Sequence, residues 1–405
     1  MELATADGAL AVDDLEEDAA ARAVPATADG VLSPAAELRK GAAVVPSWLI
    51  PHVRGAGDAA PRGLMFDGRA TEAALLAQHP VKFRCKNKKV VQRLAYPRGT
   101  LWSSDQTLRV TRWDARELTP PLAFPASAAE EEELARGGAA GARAAGANTC
   151  GAQTVETVAR VFSYIAWREG TSAWWPNFAH RFLFTAWNSV LLAQDELQVL
   201  EMPVLSAVAR GPKGGKGEMR IETAQPGVGA TPVLIQGACR RCAIDTGSAP
   251  SVYGNAFRAA SKARVRAVTH VLSPPTVCNI YALEAPRSGY GEYTSTQIEA
   301  SLRTAYAAFA AIRVVDRAPT ELHIGYWGCG AYGGNRVLMT AVQLLAARLA
   351  GVAHVVVHGV PDAADAERAV ALLSAEDAPR ASTTFEGAVE WLRAKQFRWG
   401  TSDGT

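Results

Sequence analysis

Over the second half of the chain, short apolar runs alternate with helix-length runs. TPVLIQGA, AVTHVLSP, ELHIG and HVVVHG read as strands, rich in β-branched and aliphatic side chains. YGNAFRAASKARV, TSTQIEASLRTAYAAFAAI, Arg336 to Ala350 and TTFEGAVEWLRAK space their apolar residues at helical intervals, the second run opening at Thr294. A strand, a helix and a further strand close most readily as a parallel pair with the helix laid on one face. The pattern predicts an α/β fold, a mostly parallel sheet covered on both faces.

The first half is less regular. Residues 1 to about 45 are rich in Ala, Asp and Glu and hold few large apolar side chains, so ordering entropy outweighs burial and the reading is disorder. Residues 46–126 read as an accessory N-terminal region, with a helix over Thr71 to Gln78 and a strand over TLRVTRW, Thr107 to Trp113. The Gly/Ala-rich stretch 127–152 reads as a linker. The main domain then runs over 153–400. It opens on TVETVARVFSYIAW, whose spacing predicts a helix with Thr154 as N-cap.

Composition narrows the function. A chain of 405 residues, 48% hydrophobic and 20% charged, has material for a large core. Its net charge of +2 supplies no basic face, so no direct DNA binding is expected. The longest apolar stretch, Val337 to Val357, is broken by Gln343, Arg348 and His354, so no membrane span is expected. Glu2, Asp7 and DDLEED oppose a signal or transit peptide, and the expectation is an intracellular protein, cytoplasmic or nuclear. Cys239 and Cys242 form one CxxC with no second pair to complete four ligands, so neither a metal nor a cofactor is expected. His354 and His358 lie on a strand and read as structural.

GYWGCGAYGGN, Gly325 to Asn335, joins a predicted strand to a predicted helix and holds five glycines in eleven residues. Unpaired amides at a helix start attract anions, and glycine lets a phosphate approach without meeting a Cβ. Asn335 is the candidate N-cap. The Gly-Lys-Ser/Thr ending of a Walker A loop is missing. Gly328, Gly330 and Gly333 do spell GxGxxG, but a dinucleotide fold places it in its first βαβ unit, and only about 70 residues follow here. Two readings remain: tight strand–helix packing, or a loop closing on a ligand with Tyr326 and Tyr332 against a base or ribose. Trp327 reads as packing beneath the loop.

NFAHRFLFTAWNSVLLAQDELQVL begins at Asn177 as an apolar strand and reaches Gln194, Asp195 and Glu196 at a helix start. Adjacent carboxylates in a closed site raise one another's pKa, which suits a general acid. The alternative is a solvated pair favoured by the helix dipole.

Together the two runs resemble the poly(ADP-ribose) glycohydrolase family. Members carry a segment like GNWGCGAFGGD, matched here at Gly325, Trp327 to Ala331, Gly333 and Gly334, and a DFANRF, glycine-triplet and Gln-Glu-Glu series, matched by NFAHRF and Gln194, Asp195 and Glu196. The resemblance spans about Thr154 to Val360. It implies a macrodomain-like three-layer α/β/α mixed sheet and hydrolysis of ADP-ribosyl O-glycosidic bonds, on ADP-ribose or poly(ADP-ribose) carried by modified proteins. It implies Glu196 as general acid/base and Asp195 holding a ribose hydroxyl, with Gln194 completing the signature. Gly328, Cys329, Gly330, Ala331, Gly333 and Gly334 would form the diphosphate loop, Tyr332 would brace ribose and diphosphate, and Tyr253 would lie near the adenine. The family's triplet falls on Phe184, Thr185 and Ala186, and its DFANRF asparagine on His180. A binding module without catalysis, or a fold that has lost its pocket, are the other readings.

Overall fold

The nine strands of the central sheet are β1 (Ile50–Pro51), β2 (Leu64–Thr71), β3 (Thr107–Trp113), β4 (Thr154–Val158), β5 (Ser172–Ala179), β6 (Val233–Ile244), β7 (Thr269–Glu284), β8 (Thr320–Gly325) and β9 (His354–His358). This computed structural model describes residues 50–51, 60–124, 153–210, 213–214, 217–218, 221–380 and 383–404. The stretches read above as disordered (1–45) and as a linker (127–152) lie outside the described residues. The strand order is β1-β2-β3-β6-β7-β5-β8-β9-β4.

The sheet is mixed. From β7 through β5, β8 and β9 to β4 every pairing is parallel, whereas β1, β2, β3, β6 and β7 pair antiparallel. This corrects the mostly parallel expectation. Residues from the stretch 46–126 supply β2 and β3, which join the sheet through Val233↔Arg112 to Gln236↔Arg109. A second correction concerns TVETVARVFSYIAW. Its regular part is the edge strand β4, parallel to β9 from His354↔Thr154 to His358↔Val158. Four of the five residues in TVETV are β-branched, and strand pairing overrides the helical spacing.

Ten helices among the described residues cover the faces. On one face lie α7 (Ser295–Val315), α8 (Arg336–Leu349), α9 (Ala364–Leu373) and α10 (Phe385–Ala394), packed on Trp174, Leu234, Tyr281, Leu322 and Ile324. On the other lie α1 (Glu72–Gln78), α2 (Lys86–Ala95), α3 (Gln194–Glu201), α4 (Leu205–Arg210), α5 (Ala256–Ala259) and α6 (Lys262–Ala267), packed on Trp175, Val233, Ile235, Ile280 and Ala282. Neighbours in sequence enter opposite layers because side chains alternate along a strand. The architecture is the three-layer α/β/α mixed sheet of a macrodomain-like fold. The run YGNAFRAASKARV splits into α5 and α6 because Ser261 caps a new helix, accepting from Arg264 N at 3.1 Å. Among the described residues no helix is long and apolar enough to cross a membrane.

Where β8 and β9 face the second layer, the interior is polar. Glu321 accepts from Trp167 N and Arg168 N (2.7 and 2.8 Å) and meets His323 Nε2 at 2.9 Å. His323 Nδ1 lies 3.0 Å from His358 Nε2, and His358 Nδ1 lies 2.9 Å from the Arg160 carbonyl. That carbonyl only accepts, so His358 Nδ1 carries the proton and Nε2 accepts from His323. A second proton on His358 breaks this chain, and burial holds its pKa down at about 4. The unfolded chain binds that proton near pH 6.5 and the folded chain does not, so stability is lost as pH falls from 6.5 through 4. We expect this histidine to account for about 3 kcal/mol of destabilisation between pH 7 and pH 4. Denaturant titrations at several pH values, compared with His358→Gln, check it: the variant should show a shallower acid slope.

Candidate functional site

The acid pair is positioned by one end of β5. Gln194 donates from Nε2 to the Pro176 carbonyl (2.8 Å) and accepts at Oε1 from Phe178 N (3.0 Å). One turn later Gln198 donates to the same Pro176 carbonyl at 2.8 Å. The two glutamines clamp the start of α3 onto the strand, so Gln194 serves as a positioning group. Asn177, fully buried, donates to Asp195 Oδ1 and to Gln198 Oε1, both at 2.9 Å. Glu196 is 3% exposed. Its Oε2 accepts from Ala193 N at 3.0 Å, the N3-to-N-cap half of a capping box whose other half alanine has no side chain to make.

Burial pushes both carboxyls upward. For Asp195, burial and the Glu196 charge outweigh the Asn177 hydrogen bond and the Lys88 charge. For Glu196, burial outweighs Lys88 and the backbone N–H groups of Glu196 and Ala193. Glu196 is buried and Asp195 half-buried, so the pair is held largely away from bulk water with both carboxyls raised.

The glycine loop leaves the end of β8 and folds on itself. Gly333 N donates to Gly330 O (3.1 Å) and Gly334 N to Gly328 O (2.9 Å). A Cβ on Gly334 would lie 2.7 Å from Gly328 O, and Gly328 has φ +70°, so side chains at these positions would open the loop. Asn335 caps α8, accepting from Leu338 N at 3.0 Å as its position predicts. The amides of Gly328, Gly330, Ala331 and Tyr332 donate no hydrogen bond among the described residues. Such a group of amides beside a helix N-terminus suits an anion.

The other aromatic and thiol positions separate into packing and site. Trp327 is buried beneath the loop, and Tyr326 turns away to donate to the Asp362 carbonyl at 2.9 Å. Cys329 is buried, and burial raises its thiol far above the usual range, so it packs rather than reacts. Ala331 is exposed. Tyr332 is half-buried; burial raises its hydroxyl, which also senses the charges of Glu284 and Asp195. Tyr253 is 37% exposed as a residue, yet burial of its hydroxyl and the Glu196 charge raise its pKa, with the Gln194 backbone N–H opposing. Glu196, Asp195, Tyr253 and Tyr332 therefore share one electrostatic neighbourhood. His180 is exposed at the end of β5, where its Nδ1 accepts from Phe182 N at 3.1 Å.

Three features escape a reading of the sequence. Phe184, at the first triplet position, is fully buried yet has φ +55°, the left-handed conformation that glycine favours. The turn keeps the backbone shape, and burial of the ring offsets the strain. Residues 398–404 cross the outside of the glycine loop. Gly400 N donates to Gly333 O (2.8 Å), Asp403 N to Gly330 O (3.3 Å), and Asn255 Nδ2 to Gly404 O (2.8 Å). Lys88, on α2, is fully buried near both carboxylates. KNKKVVQRLA offers one signal: Lys88 and Asn87 lie three and four residues before Val91, on its buried face.

Residues 235–364 match the family model described as Poly (ADP-ribose) glycohydrolase (PARG), Macro domain fold. The match runs from β6 to the start of α9; it includes the glycine loop and stops short of the α3 carboxylates. Among solved structures, poly(ADP-ribose) glycohydrolase from Deinococcus radiodurans in complex with ADP-ribose is similar at 15% identity, over 55% of this chain and 86% of that one, with a TM-score of 0.37. Another crystal form of that complex gives 14% identity, 55% and 83% coverage, and a TM-score of 0.35. No curated protein sequence matches the chain.

Proposed function

We propose that this divergent member of the poly(ADP-ribose) glycohydrolase family hydrolyses ADP-ribosyl O-glycosidic bonds, with Glu196 as general acid/base. The observation that carries the reading is the juxtaposition at the ends of β5 and β8. An acid pair with raised pKa sits in one electrostatic neighbourhood with Tyr332, whose own amide belongs to the anion-seeking loop. The diphosphate of an ADP-ribosyl group would take the amides of Gly328, Gly330, Ala331 and Tyr332, with the α8 dipole adding to the attraction. The Tyr332 ring would brace the adjoining ribose. Asp195, oriented by Asn177, would accept from a ribose hydroxyl. Glu196 would protonate the departing ribose 2′-hydroxyl from Oε1. It would then take a proton from water attacking the oxocarbenium-like carbon. Tyr253 would flank the adenine side. Modified proteins carrying ADP-ribose or its polymer are the substrates this reading implies.

A second reading, an ADP-ribose-binding module without turnover, has its own support. Phe184, Thr185 and Ala186 stand where the family has glycines, and Glu196 already caps its helix. Calorimetric titration with ADP-ribose, paired with an assay for ADP-ribose release from poly(ADP-ribose), separates the two. Micromolar binding, weakened at least about tenfold by Tyr332→Ala, together with release, is expected. Binding without release leaves the module. No heat at millimolar ligand overturns both.

A further inference from the structure

Lys88 is the one fully buried lysine among the described residues. Its Nζ donates to the Trp187 carbonyl at 2.8 Å. An ammonium carries three N–H donors, and one acceptor is far from enough to offset its desolvation. The remaining compensation comes from charge: Glu196, then Cys85 and Asp195, favour the protonated form against burial, which lowers its pKa to about 8. Lys88 thus stays protonated at neutral pH.

The segment carrying Lys88 also grips the turn that bears the replaced triplet. Arg84 N donates to Asn188 Oδ1 (2.7 Å), Asn188 Nδ2 donates to Lys82 O (3.2 Å), and the Phe83 and Trp187 rings meet edge-on at 5.4 Å. The turn at 184–189 and the ammonium are held by the same stretch, residues 82–88.

We infer that Lys88 is a positioning residue for the acid pair: its buried ammonium balances one carboxylate charge, so Asp195 and Glu196 together retain a single proton. With Lys88 charged, the uncharged state of the trio has one carboxyl protonated and one ionised. Without that cation, the uncharged state has both protonated. A glycosidase with a general acid needs one proton to give and one carboxylate to stabilise the developing cation, which is the state the ammonium selects. The groups within electrostatic reach of the trio are the Cys85 thiol at the start of α2, the Tyr253 hydroxyl, which senses Glu196, and the Tyr332 hydroxyl, which senses Asp195. None of the three is a cation in any protonation state, so Lys88 supplies the positive charge there.

The catalytic meaning of the inference rests on the proposed hydrolase reading, but the proton inventory does not. The test is therefore a titration of the Asp195 and Glu196 carboxyls by carbon-detected NMR in the full chain. It compares wild type, Lys88→Met and Lys88→Arg, with the pH profile of ADP-ribose release as a second readout. Lys88→Met should move both carboxyl titrations up by about one pH unit or more, and move the acid limb of the rate profile with them. Lys88→Arg keeps the charge and should leave the titrations near their wild-type positions. Unmoved titrations in Lys88→Met, or Lys88→Arg moving them as far as Lys88→Met does, would overturn the inference and reduce Lys88 to an anchor for the Trp187 turn. If Lys88→Met does not fold, Lys88→Gln takes its place as the charge-removing variant: titrations moved up support the inference, and unmoved titrations overturn it. If no variant, wild type included, releases ADP-ribose, the hydrolase reading fails while the NMR result still stands or falls by itself.

Discussion

Glu196→Gln should lower the rate of ADP-ribose release by about a thousandfold while changing ADP-ribose affinity only a few-fold. The substitution is isosteric. The amide oxygen can still accept from Ala193 N, as Oε2 does at 3.0 Å, so the start of α3 stays capped. What is lost is the transferable proton and the later base, both of which act in the transition state. Single-turnover release from poly(ADP-ribose), run beside calorimetric titration, reads the two effects separately. A variant that keeps its rate within tenfold would remove Glu196 from the acid/base role. Loss of binding together with rate would make it a structural cap.

Glu201→Ala should destabilise the fold by about 3–5 kcal/mol. Glu201 closes the other end of the acid-bearing helix. Its Oε2 lies 2.7 Å from Arg240 Nε and its Oε1 accepts from Ile244 N at 2.6 Å. Arg240 also donates to the Ser163 carbonyl at 2.7 Å and lies over the Tyr164 ring at 4.7 Å. The side chains of Glu201 and Arg240 are 2% and 9% exposed, so water cannot replace the missing partner. Truncation strands a buried guanidinium and a buried N–H. Urea denaturation measures the loss. The double variant Glu201→Leu with Arg240→Met should recover much of it, because removing both charges leaves neither unpaired. Intact stability in the single variant would mean that water reaches Arg240.

Local signals were enough for much of the fold. Thr294 caps α7 in a reciprocal box with Gln297, at 3.2 and 3.0 Å, and the helix begins where the sequence places it. Asn335 caps α8, and the strand Thr107 to Trp113 appears with the bounds read from the sequence. Thr154 to Val158 misled because its spacing fits a helix, while a partner 200 residues later, His354–His358, offers a ladder to its β-branched residues. No window around residue 154 contains that partner.

The same division runs through the candidate site. By itself the sequence determined the glycine loop, its helix cap and an acid pair at a helix start, because these depend on backbone freedom and near-neighbour chemistry. Only the tertiary structure decided that Glu196 is buried and Asp195 half-buried with both pKa values raised, that the buried Lys88 of α2 is the cation that acts on them, and that Phe184 fills the left-handed turn. It also decided that residues 398–404 lie across the glycine loop. Each of these depends on desolvation and charge contributed by segments distant in sequence, and burial is a property of the packed chain rather than of any stretch within it.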